Sequence, residues 1–135
     1  MLAAATSACV FPVSRDRAPE ISGVLLKGGV PVENAQIELV ASSPIEDASS
    51  QPAETPRRAV TRTDANGRFK VGPLRGVKMV HLIGDEMLQV HLAIRVGQED
   101  FVGLSDSGTG YSATWDVVCD LSKPKKVGNL VTYCR

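Results

Sequence analysis

The chain carries two histidines, His81 and His91, and a serine-rich run, GLSDSGTG, at 103–110. A serine hydroxyl and an imidazole to take its proton are the parts of a nucleophilic hydrolase. The spacing is wrong for the usual elbow, because Ser107 stands where G-x-S-x-G needs its second glycine. Ser105 or Ser107 serves only if folding brings one of them within reach of His81 or His91. Otherwise the run reads as a flexible Ser/Gly loop between two strands. A zinc site needs four ligands, or three with an open position. The two histidines fall on different expected strands, and no cysteine or carboxylate cluster shares their face by spacing. They read as ordinary strand histidines, and no metal or cofactor is expected. DANG at 64–67 echoes part of a calcium loop, but it lacks the full ligand spacing and the terminal glutamate. No catalytic residue is assigned.

The elements that position these residues are short strands, since no stretch keeps a helical period. EISGVLL (20–26), AQIELVA (35–41), RAVTRT (58–63), RFKVG (68–72), VKMVHLIG (77–84), LQVHLAIRV (88–96), EDFVGLS (99–105), YSATWDVVC (111–119) and KVGNLVTYC (126–134) are separated by turn residues. Alternation puts Ile37, Leu39 and Ala41 on one face, and Gln36 and Glu38 on the other. Val90, Leu92, Ile94 and Val96 face in, while Gln89, His91 and Arg95 face out. Strands at this spacing point to an all-β sandwich or barrel in one domain of 135 residues. Residues 58–71 read as a hairpin closed by DANG. Asn66 and Gly67 accept positive φ, Asp64 bonds backbone N–H groups further on, and Phe69 and Val71 enter the core.

Three linked patterns then carry a resemblance. Ile21, Gly23 and Leu25 fit V-x-G-x-V. Gly29, Pro31, Val32, Ala35 and Ile37 fit G-x-P-(V/L)-x-x-A-x-V. Thr63, Asp64, Gly67 and Phe69 fit the T-D-x-x-G-x-(F/Y) hairpin. In this order, with an insertion at 42–57, residues 20–75 resemble the carboxypeptidase regulatory-like, or transthyretin-like, family. The resemblance implies a small antiparallel β-sandwich of prealbumin type. It also implies an accessory module, extracytoplasmic in many bacterial proteins and rarely an enzyme. Some relatives of that fold bind starch or other glycans.

Composition narrows the partners. Fifteen basic residues balance fifteen acidic ones, so there is no general drive toward nucleic acid or an anionic membrane surface. Aromatic residues are 4% of the chain, too few for base-stacking platforms. Trp115 shares an expected face with Tyr111, Ala113 and Val117. It reads as core, and as a sugar platform only if exposed. SKPKK (122–126) reads as a solvated turn, with an anionic partner as the alternative. SSPIEDASSQPAETPR (42–57) is a long polar loop whose Ile45, Glu46 and Asp47 are candidate partner contacts, against the alternative of an insertion with no role.

Three cysteines bear on location. Cys119 and Cys134 enclose a loop short enough for a bridge worth roughly 3 kcal/mol; two buried free thiols are the alternative. In MLAAATSACVFP, Ser7, Ala8 and Cys9 match the end of a bacterial lipobox, although Thr6 stands where leucine is usual. Only eight residues, none of them basic, precede Cys9. The expectation is a truncated signal remnant and tether over 1–19, a lipidated Cys9, and a β-sandwich over 20–135 on the periplasmic face of a membrane. Such a module is expected to contact membrane through its lipid anchor only and to act through a protein partner, with an envelope complex or a neutralised effector as candidates. A carbohydrate-binding module is the second class and a hydrolase the third.

Overall fold

The alternating runs fold as strands. The structure is a computed structural model that describes residues 11–42, 57–80, 88–108 and 113–135, with only the backbone described at 11–16 and 76–80. Every regular element in it is a strand: β1 (Phe11–Ala18), β2 (Ile21–Lys27), β3 (Val30–Pro31), β4 (Gln36–Ser42), β5 (Arg57–Arg62), β6 (Arg68–Val71), β7 (Leu74–Val80), β8 (Leu88–Val96), β9 (Glu99–Gly108), β10 (Trp115–Asp120), β11 (Lys125–Val127) and β12 (Leu130–Thr132).

Two four-stranded sheets form a small β-sandwich. One has the order β5-β4-β8-β9, all antiparallel; in the other, β2 lies between β10 on one side and β6 and β3 on the other. The pairing of β10 with β2 is the parallel one. The inward positions are those the alternation assigns. Ile21, Leu25, Ile37, Leu39, Val90, Leu92 and Ile94 are at most 1% exposed, and Phe69 and Val71 close over them. Each such side chain contributes roughly 1.5–3 kcal/mol by leaving water.

DANG forms its turn but not a hairpin. Asp64 Oδ1 accepts from the N–H of Asn66 and of Arg68, each at 2.9 Å, and Gly67 takes φ 72°. The strands on either side then part, β5 pairing with β4 and β6 with β2. The turn is therefore an arch from one sheet to the other. Its C-terminal limb is claimed by β2, because Leu25 N–H donates to Gly67 O at 2.7 Å.

Three other expectations change. Residues 11–18, expected as tether, form β1 and pair with β7. Ala18 opposes Leu74 and Ile21 opposes Val71, so β1–β7 and β2–β6 are one antiparallel ladder bent at Pro19-Glu20 and Gly72-Pro73. At the end of this strand Arg17 is 5% exposed and Ala18 fully buried. Residues 126–134, expected as one strand, break at Gly128-Asn129 into the β11–β12 hairpin, followed by a separate bridge between Cys134 and Cys119. The 103–110 run is strand as far as Gly108.

The C-terminal residues close one edge of the sandwich. Tyr133 and Cys134 donate their N–H groups to Gly103 O on β9, at 3.2 and 2.9 Å, while Arg135 and Val118 on β10 exchange both backbone bonds. One short segment thus ties a strand of each sheet. The Sγ atoms of Cys119 and Cys134 are bonded, and the Cα atoms lie 3.9 Å apart.

Candidate functional site

The outer face of β5-β4-β8-β9 carries the side chains best able to do chemistry. Register sets them in rows across the four strands: Arg62, Gln36, Arg95, Asp100; then Val60, Glu38, Ala93, Val102; then Arg58, Val40, His91, Ser105. Gln89 and Ser107 form the next pair. A bulge beside Leu92/Ala93 preserves the alignment. Gly103 there leaves room for its neighbours, since a Cβ on it would lie 2.9 Å from Cys134 Sγ and 3.2 Å from Ile94 and Leu92 methyl carbons.

Folding does bring His91 opposite Ser105, a proximity the sequence left open. Directly opposed side chains in an antiparallel pair have Cβ atoms about 5 Å apart. Among the described residues the rest of a nucleophilic site is not assembled. No hydrogen bond joins the two, and on its other side His91 faces Val40 rather than an orienting carboxylate. Glu38, one row along on β4, is taken by Arg58 at 2.9 Å. No third group among the described residues holds the imidazole's tautomer and direction, as activation of a serine requires. Among the described residues, no group of three or more His, Cys, Asp or Glu could hold a metal ion.

The charges on this face are mostly spent on one another. Arg95 Nε lies 3.5 Å from Asp100 Oδ1, and Arg62 donates to Asn34 O at 3.2 Å. Such exposed pairs contribute little stability, in the range of about 0–1 kcal/mol. They do fix side-chain directions around a shallow depression lined by Gln36, Glu38, Ala93, Arg95 and Asp100. Between the charges an apolar track zigzags over all four strands through Val60, Val40, Ala93 and Val102. Val60 is 58% exposed.

Trp115 and Val117 are half-buried against the core while Asp116 and Val118 point outward, but Ala113, expected on the same inward face, lies ahead of β10 and is exposed. Cys9, the loop residues Ile45, Glu46 and Asp47, and also His81 and Tyr111 lie outside the described residues.

A second feature escapes a reading by motif. Asp120, at the end of β10, is 7% exposed. Its Oδ1 accepts from Ser122 Oγ at 2.6 Å, Ser122 N–H at 2.9 Å and Gly28 N–H at 3.1 Å. The Ser122 hydroxyl leads these bonds in holding the carboxyl down at about 2, from an ordinary 3.8. The carboxylate thereby clamps the Gly28-Gly29 turn between β2 and β3 to the turn after β10. The local signal was Asp-x-Ser; the partner Gly28 lies 92 residues away and has no local signal. Because the folded-state pKa is the lower one, this stabilisation is fully present above about 3.8 and lost as pH falls toward about 2. Asp120→Asn is expected to flatten the fall in melting temperature across that window. Parallel acid-melting curves for the variant and the wild type would rule the clamp out.

Compared with protein-family models, with curated proteins and with solved structures, the chain matches none.

Proposed function

We propose that the protein is a non-catalytic binding module of the bacterial envelope, held through a lipid on Cys9, that works by contact with another protein. The observation that carries this reading is the outer face of β5-β4-β8-β9. Its carboxylates and guanidinium groups engage one another, its histidine has no orienting partner among the described residues, and an apolar track crosses it, exposed at Val60 and half-buried at Val40, Ala93 and Val102. Catalysis needs a nucleophile, a base and a stabilising group in mutual reach. Binding needs only complementary shape and charge, and exposed aliphatic side chains ringed by polar ones are a usual ground for it.

The transthyretin-like resemblance supports the same reading through what its motif residues do. Thr63 is buried; its hydroxyl donates to Val32 O at 2.7 Å and accepts from Ala35 N–H at 2.9 Å. Asp64 caps the arch, Gly67 turns it, and Phe69 and Ile37 fill the core. Gly23 lets β2 approach β10, where a Cβ would meet Val117 O at 2.6 Å. The motif specifies a frame and leaves recognition to surfaces and loops.

The test is capture from envelope extract with three proteins: the wild type, Val60→Asp, and a chain whose 43–56 segment is Gly/Ser. One protein retained by the wild type and lost at least tenfold with Val60→Asp places the contact on the sheet face. Loss with the 43–56 replacement alone moves it to the loop. Equal capture by all three rejects both, and tight polysaccharide binding abolished by Trp115→Ala in a folded chain replaces the reading with a glycan one. Triacyl labelling of the wild type but not of Cys9→Ser checks the anchor, and equal labelling of both rejects it.

A further inference from the structure

The neutral total charge conceals a local asymmetry at one end of the sandwich. β2 and β10 are parallel, so the turn that follows each lies at the same end. The Asp120 clamp and a bond from Leu121 N–H to Leu26 O at 2.8 Å join those two turns. The first turn brings Lys27 and Val30, and the second brings Lys123 and leads into β11–β12 with Lys125, Lys126, Val127 and Val131.

This end is unusually open. Ser122 through Asn129 are all exposed. Val30 (64%), Val127 (54%) and Val131 (42%) are three of the five large hydrophobic side chains exposed among the described residues. Lys27, Lys123, Lys125 and Lys126 form no ion pair with a described residue. Asp120, the acid in their midst, is buried and engaged by its own turn. Register puts Lys126 and Val131 on one face of the β11–β12 hairpin and Lys125 and Val127 on the other, so the projecting hairpin is basic and apolar on both sides, beside Lys27, Val30 and Lys123 of the turns it adjoins.

We propose that this end docks on an anionic lipid surface. Several features favour lipid over a folded partner. The surface is made of projecting turns, exposed from Ser122 through Asn129. It offers no aromatic or arginine side chain from the described turns, and lysine is depleted at the centres of protein interfaces. A lipid headgroup layer suits this combination. Ammonium groups meet phosphates over a broad plane, and short aliphatic tips enter the boundary just below it. The attraction acts within about a Debye length, so the local cluster counts and the distant balancing acids do not. The docking does not depend on the Cys9 anchor. With it, the turns would supply the second of the two signals that stable membrane attachment requires.

Flotation of the unacylated full chain decides this. The vesicles are either phosphatidylcholine alone or equal parts phosphatidylcholine and phosphatidylglycerol, at low and high salt. The wild type is expected to float with the mixed vesicles at low salt, to release at high salt, and to ignore the neutral ones. Lys125→Glu with Lys126→Glu is expected to lower the partition about a hundredfold, because each removed lysine alone is worth several-fold and reversal adds repulsion. Lys70→Glu, placed five residues back along the β2 ladder opposite Ser22, is the control and is expected to change it little. All three substitutions are at exposed positions, and unchanged melting temperatures will show that the fold is intact. No flotation of the wild type, equal flotation with neutral vesicles, or an equal loss for Lys70→Glu overturns the proposal. So does retention of a short DNA duplex in place of vesicles. A failure here leaves the protein-capture result standing, since that test reads the β5-β4-β8-β9 face.

Discussion

Gly67→Ala is expected to lower the unfolding free energy by about 2–4 kcal/mol, the sum of a backbone penalty and a steric one. The backbone part follows from φ 72°, a region that costs an L-residue roughly 1–2 kcal/mol. The steric part comes from where the new methyl must go. It would run into the carbonyl oxygen of Leu25 and lie 3.3 Å from Pro31 Cα and Cβ. That carbonyl is not free to move, since it accepts from Val32 N–H at 2.9 Å while Leu25 N–H donates to Gly67 O. Relief therefore means prising the arch from β2 and giving up bonds on both sides. Gly97→Ala separates the two parts. Gly97 has φ 62°, but a Cβ there meets nothing within 4 Å. It should cost only the backbone term, about 1 kcal/mol. Urea unfolding of both variants measures the difference, and equal costs would mean that the close approach at Leu25 contributes nothing.

Opening the Cys119–Cys134 bridge is expected to cost about 3 kcal/mol, because the two are 15 residues apart and reduction returns that loop's entropy to the unfolded chain. The loss should also be local. The terminal segment is otherwise held by its backbone bonds to Gly103, Val118 and Asp120, and by the edge-on contact of Tyr133 with Phe101, whose ring centroids lie 5.3 Å apart. Hydrogen exchange at the amides of Cys134 and Arg135 should therefore accelerate more than at Leu39 or Leu92 in the sheet centre. Cys119→Ala with Cys134→Ala, compared with reduced wild type, controls for the reductant. If the oxidised protein has the same urea midpoint as the reduced one, with mass analysis showing two hydrogens gained, the bridge does not hold the fold.

The sequence by itself determined which face of its alternating strands turns inward and where the chain turns at 64–67. Both are local properties. A period of two in AQIELVA and LQVHLAIRV leaves one choice of buried face, and Ile37, Leu39, Leu92 and Ile94 take it. Asp64 and Gly67 make their turn with bonds no more than four residues long. Tertiary structure alone decided which strands pair. The turn at 64–67 is compatible with a hairpin or an arch, and the choice fell to β2, about forty residues upstream, which offered β6 a ladder. The same rule explains β1, whose charged residues read as tether until β7 supplies hydrogen-bond partners. Functional geometry followed pairing. His91 and Ser105 are not neighbours in sequence, and only the β8–β9 register sets them opposite each other. The four lysines and three valines at one end come from turns nearly a hundred residues apart, gathered because parallel pairing of β2 with β10 sends both turns the same way. Pairing depends on the sum of many weak contacts between distant segments, so no single stretch of residues encodes it.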